Sequence, residues 1–192
     1  MSVFKDHKIS LKQVLEFIPE ALLTHLSATT KVDYYSKVLH GKKMFYLLLF
    51  CIFDNEKLSQ RTLEDTFNSS GFKALFGLGE KEKVRRSSIS ERLSKIDPNY
   101  FKEIYEQMYG RFSELYSKTE IEKYNLIRVD STIVADTCAK LKEGIDQKSG
   151  KKLVKFSFSF DGILPSGVEV FTGQKYSSEE AALPEAILKQ VK

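Results

Sequence analysis

Apolar residues in this chain keep helical spacing to about residue 117 and switch, from about Asn125, to strict alternation. Side chains repeat every 3.6 residues around a helix and every two along a strand, so the switch divides the chain into a helical part and a sheet-forming part. In the first part, Leu11, Val14, Leu15 and Ile18 run up to Pro19, followed by Leu22, Leu23 and Leu26. The stretch from Asp33 to Phe53 contains Gly41 and reads as two helices or one interrupted helix. Thr62 and Asp65 open a short helix that ends near Ser69–Gly71, and Ser88 with Glu91 makes a capping box ahead of Leu93 and Ile96. Past Pro98, a longer helix to about Ser117 carries Tyr100, Phe101, Ile104, Tyr105, Met108, Phe112, Leu115 and Tyr116.

In the second part Asn125–Asp136 (NLIRVDSTIVAD) reads as a strand, VKFSFSF (Val154–Phe160) as a half-buried strand, and Val168–Thr172 as a third. Asp161-Gly162 and Pro165-Ser166-Gly167 are turn chemistry. Ser177 and Glu180 open a last helix, with Pro184 expected at a kink or in its first turn. Helices, then three strands, then a helix make an α+β chain.

Composition narrows the functional classes. A net charge of +4 and a pI near 8.9 bias the chain mildly towards an anionic partner. The most apolar run, Met44–Phe53, falls well short of the ~20 residues that span a bilayer. With no apolar segment near Met1 to serve as a secretory signal, a cytoplasmic protein with no membrane partner is expected. Cys51 and Cys138 form no CxxC pattern, which favours reduced thiols. P-loop, GxGxxG and GxSxG motifs are absent, and His7, His25 and His40 are too scattered to suggest a zinc site.

Two features carry candidate chemistry. The first is Asp130, a carboxylate amid β-branched residues that disfavour it. It shares strand parity with Arg128 and Thr132, which is either the solvent face of a sheet or a metal-binding carboxylate on a central strand. Asp136, Asp161 and Glu169 are its conceivable partners, and no local motif marks any of them. The second is the basic segment Lys81–Lys95 (KEKVRRSSISERLSK), with serines at a helix start. Lys83, Arg85, Arg86, Arg92 and Lys95 are its candidate phosphate contacts, and LSQRTLEDTF ahead of it suggests a helix-turn-helix-like unit. The alternative is an ordinary solvated face. A second cluster, Lys140, Lys142, Lys148, Lys151, Lys152 and Lys155, stands between the first two strands under the same two readings.

These residues resemble a known family. VDSTIVAD, GKKLVKFSFSFDGILP and VFTGQKYSSEEAALPE are similar to the start of the catalytic domain of bacterial insertion-sequence transposases of the DDE superfamily, insertion-sequence family four. KVLHGKKMFYLLLFCIF, LSQRTLEDTF and RSSISERLSKID resemble that family's helical N-terminal domain. The resemblance implies a DNA-binding helical domain over residues 1–118 and, over 119–192, the start of a ribonuclease H-like α/β domain of three strands and a helix. Asp130 matches the first catalytic aspartate, holding Mg2+ or Mn2+ for strand cleavage and transfer, with Ser131 and Thr132 completing the motif. The family's second aspartate and its glutamate have no counterpart before Lys192. The expectation is therefore a truncated transposase that binds duplex transposon ends, does not bind metal productively and does not cleave. The alternative is a regulatory protein that pairs with full-length transposase and inhibits it. An unfinished sheet with an open apolar edge would also favour self-association.

Overall fold

The computed structural model describes residues 15–54, 58–115, 128–135, 143–160 and 164–190. Among these described residues, seven α-helices and one antiparallel sheet make an α+β structure. The chain divides into two compact units, residues 1–108 and 109–192.

The helical unit contains α1 (Glu20–Thr29), α2 (Gly41–Asp54), α3 (Gln60–Asn68), α4 (Ser70–Phe76), α5 (Arg86–Lys95) and most of α6 (Pro98–Ser113). Its core includes Leu23, Leu26, Met44, Leu47, Phe67, Phe72, Ile89 and Tyr100. Each large side chain buried there stabilises by roughly 1.5–3 kcal/mol, so burial dominates this unit. Residues 31–40 form a loop and the helix starts only at Gly41, where Asp33 Oδ1 accepts a hydrogen bond from the Gly41 N–H at 2.5 Å. A Cβ at Gly41 would lie 2.6 Å from Val32 Cγ1 and 3.1 Å from the Tyr100 ring. Only glycine permits that close approach.

Local hydrogen bonds set the other helix ends. Ser59 and Thr62 form a reciprocal capping box at α3, opening the helix earlier than the Thr62–Asp65 pattern suggests. Ser69 closes α3 and opens α4: its N–H and its Oγ both donate to the Thr66 carbonyl, and the Oγ accepts from the Phe72 N–H. Gly77, left-handed at φ 59°, ends α4. Pro98 takes the first position of α6, with Asp97 accepting from the Asn99 N–H.

The sheet unit holds β1 (Arg128–Ala135), β2 (Ile145–Asp146), β3 (Lys152–Phe160), β4 (Pro165–Phe171), a 3-10 turn (Gln174–Ser177) and α7 (Glu179–Gln190), with Pro184 inside α7. β3 lies between β1 and β4, antiparallel to both, and β2 pairs with its Lys152–Leu153 end. Alternation along β3 is as the sequence suggests, but its polar side is the buried one. Leu153, Lys155, Ser157 and Ser159 are buried while Val154, Phe156, Phe158 and Phe160 are only half-buried. Lys155, 1% exposed, reaches Glu179 at 3.1 Å and the Ser177 carbonyl at 3.5 Å. Ser159 Oγ shares a hydrogen bond with Ser166 Oγ at 3.0 Å. Partnering of this kind makes polar burial tolerable. The small Ala182 and Ala186 bring α7 close to Phe171, Tyr176 and Val129. With so small an apolar cluster, this unit leans on strand pairing more than the helical one does.

Candidate functional site

One side chain fixes the backbone at the middle of the basic segment. Asn68, the last residue of α3, holds both backbone groups of Val84: its Nδ2 donates to the Val84 carbonyl at 2.9 Å and its Oδ1 accepts from the Val84 N–H at 3.1 Å. Val84 is buried, so its neighbours Lys83 and Arg85 are turned out to solvent. Arg85 is extended (φ −100°, ψ 154°) and leads straight into α5, which opens ahead of the Ser88 start that the capping-box pattern suggests. No side chain caps α5, and its first turn has no acidic residue. Its leading N–H groups, with exposed Arg86, Ser87 and Ser88 beside them, are a favourable setting for an anion.

α3 and α5 are tied by side chains. Gln60 Nε2 donates to Ser90 Oγ at 3.2 Å, and Arg86 Nε lies 3.4 Å from Glu64 Oε2. The short α4 lies between them in sequence.

The five candidate cations separate. Lys83, Arg85 and Arg86 cluster at the start of α5 and are exposed. Lys95 is exposed at its other end, held by Glu91 at 2.6 Å. Arg92 points inward: its Nε donates to the Leu39 carbonyl at 2.8 Å and its Nη2 to the Val32 carbonyl at 2.5 Å, with Asp33 at 3.9 Å. Burial lowers its pKa from the usual value while Asp33 opposes that shift. Those donors hold a loop and are not offered to a ligand. The second lysine cluster is divided in the same way: Lys148 and Lys151 are exposed, Lys155 is buried, and Lys140 and Lys142 lie outside the described residues.

A feature not legible as a site from sequence borders α5. A groove of about 840 Å³ is lined on one side by the 31–39 loop and on the other by Lys83, Ser88, Glu91, Arg92 and Lys95. Tyr34 and Tyr35 stand on that loop 69% and 91% exposed, their ring centroids 4.2 Å apart. Adjacent aromatics without helical spacing, between Lys31 and Lys37, were the available signal.

Asp130 lies in β1 opposite Phe158. Directly opposed residues share a face, so its register position belongs with Phe156 and Phe158, away from α7. Glu169 pairs with Ser157, which pairs with Ser131, placing Glu169 on the other face, where Lys189 engages it at 3.0 Å. Asp136 and Asp161 lie outside the described residues. Among the described residues, which do not include the Asp130 side chain, no group of three or more His, Cys, Asp or Glu is placed to hold a metal. Cys51 is buried as a thiol, its Sγ 3.1 Å from Thr66 Oγ1. No described helix is long and apolar enough to cross a membrane.

Compared with protein-family models, curated proteins and solved structures, the chain matches none.

Proposed function

We propose that this chain is a DNA-binding protein of the transposase type, whose helical unit grips the backbone of duplex DNA at element ends. The carrying observation is the cluster of exposed Lys83, Arg85 and Arg86 at the uncapped start of α5, turned outward by the Asn68–Val84 clamp. Cations and free backbone amides at one helix end suit phosphate and carry no base code, so contact there positions the protein without reading sequence. An antiparallel meander of β1, β3 and β4 followed by α7 supports reading the second unit as the opening of a ribonuclease H-like domain, with Asp130 as its first metal-binding carboxylate. Mg2+ or Mn2+ would serve strand cleavage only where further carboxylates join it.

The test is a salt titration of binding to duplexes of unrelated sequence. Arg85→Ala/Arg86→Ala should weaken binding to all of them and reduce the slope of log K against log salt by about 2, near 0.9 for each phosphate that is no longer neutralised. An unchanged affinity and slope would remove this segment from the interface.

One observation favours a second reading, pairing with another copy of the chain. Phe156 and Phe158 stack at 6.5 Å on the sheet face turned away from α7, flanked by Val168 and Val170, 44% and 52% exposed. On this hypothesis the protein dimerises with rising concentration and Val170→Lys abolishes the dimer. A monomer at every concentration in sedimentation equilibrium would exclude it.

A further inference from the structure

We propose that the groove between the 31–39 loop and α5 takes unpaired nucleotides, with Tyr34 and Tyr35 as the stacking platform. The inference rests on the DNA-binding reading and adds a second ligand, single-stranded nucleic acid leading off the duplex.

Exposed aromatic rings are costly to leave in water, and this pair is held there by construction. Lys31 and Tyr35 both adopt left-handed backbone conformations, at φ 51° and 64°, which side-chain-bearing residues rarely take. The loop is pinned from below at both roots, where Arg92 binds the carbonyls of Val32 and Leu39 and those two residues are buried. Asp33 fastens it to the start of α2 through the Gly41 N–H, and the Tyr34 N–H closes a turn onto the Lys31 carbonyl at 3.0 Å. With its backbone fixed, the loop cannot fold its tyrosines back into the core.

The lining identifies the occupant. Lys31, Lys37 and Lys83 bring positive charge to the groove. Glu91 is neutralised by Lys95, and Asp97 keeps its charge while accepting from the Asn99 N–H, so the three lysines outweigh the acids of the lining. Aromatic faces beside a lysine-rich channel suit a strand whose phosphates follow the lysines and whose bases stack without regard to identity. A paired duplex keeps its bases inside the helix and has no face to offer the tyrosines. Lys83 belongs both to the groove and to the cluster at the start of α5, so a strand leaving the duplex there would enter the groove directly.

The test uses the full chain, with fluorescence anisotropy on a blunt duplex and on the same duplex carrying a short oligo-dT tail. Wild type should bind the tailed form about tenfold more tightly, the range expected for stacking roughly one base. Tyr34→Ala/Tyr35→Ala should bind both forms with the wild-type affinity for the blunt one, and Tyr34→Phe/Tyr35→Phe should keep the preference. Circular dichroism matching wild type would show that the substitutions act at the surface. Equal binding of both forms by wild type, or a parallel loss for both in the alanine variant, overturns the stacking proposal while leaving duplex binding intact. Failure of every variant to bind either form overturns the DNA-binding reading with it.

Discussion

Arg92 on α5 donates from Nε to the carbonyl of Leu39 at 2.8 Å, so one side chain fixes the far root of a loop that begins sixty residues earlier in the sequence. The same guanidinium reaches Val32 at the near root, and a planar fork is needed to serve both carbonyls.

Arg92→Ala should therefore lower the stability of the helical unit by about 2–3 kcal/mol, the scale of charged hydrogen bonds whose buried acceptors are left unpaired. Arg92→Lys should recover only part of it, since an ammonium is a single point of contact. The midpoint of urea unfolding reports the change. A loss under about 0.5 kcal/mol, ordinary for a surface substitution, would mean that the loop holds itself.

Lys155 gives the opposite expectation. It is 1% exposed, but its partner Glu179 is 51% exposed and remains hydrated if the pair is broken. The attraction is correspondingly modest, while burying the ammonium carries a desolvation cost. Lys155→Met should be as stable as wild type or more so, and Lys155→Ala should lose about 2 kcal/mol through the space it leaves. If thermal unfolding found Met as damaging as Ala, the ion pair would be the stabilising element after all.

Alkaline pH should destabilise the helical unit through two buried phenols. Burial raises the Tyr46 and Tyr100 phenols above their usual value of 10.0, with the Glu20 charge adding to the shift at Tyr46. A group with a raised folded-state pKa contributes its full stability below the unfolded value and loses it as pH climbs through the folded one. Stability should thus hold up to about pH 10 and fall beyond it, with tyrosinate absorbance rising as the fold is lost. Tyr46→Phe/Tyr100→Phe should flatten that fall; an identical alkaline limb in the double variant would rule these phenols out as its cause.

Much of the helical unit is legible in periodicity and breakers, because the pattern that buries Leu63 and Phe67, or Tyr100 and Ile104, is local. Other features depend on what another segment contributes. Arg92 reads as one more cation in a basic run, and nothing nearby in sequence announces carbonyls awaiting it from the 31–40 loop. The alternation of β3 is evident in VKFSFSF, yet which side meets a helix is decided by Glu179, Ala182 and Ala186, which allow a lysine and two serines to be covered. Tyr34 and Tyr35 fall in a stretch whose start reads equally well as helix, and only the left-handed backbone at Lys31 and Tyr35 shows that it is not. For Asp130, strand position is readable from the β-branched residues around it, whereas the set of carboxylates that would give it chemistry is not.

Ser69 also bears on how the chain can vary. Because one residue ends α3 and begins α4, the joint has no spare length. Substitution by threonine or aspartate would leave a capping oxygen in place, but a single inserted residue would turn one helix by about 100° relative to the other, given 3.6 residues per turn. Phe67 and Phe72, buried on either side of the joint with ring centroids 5.5 Å apart, would then no longer face the same core. Homologous chains should accordingly differ here in composition and agree in length, with insertions and deletions gathering elsewhere.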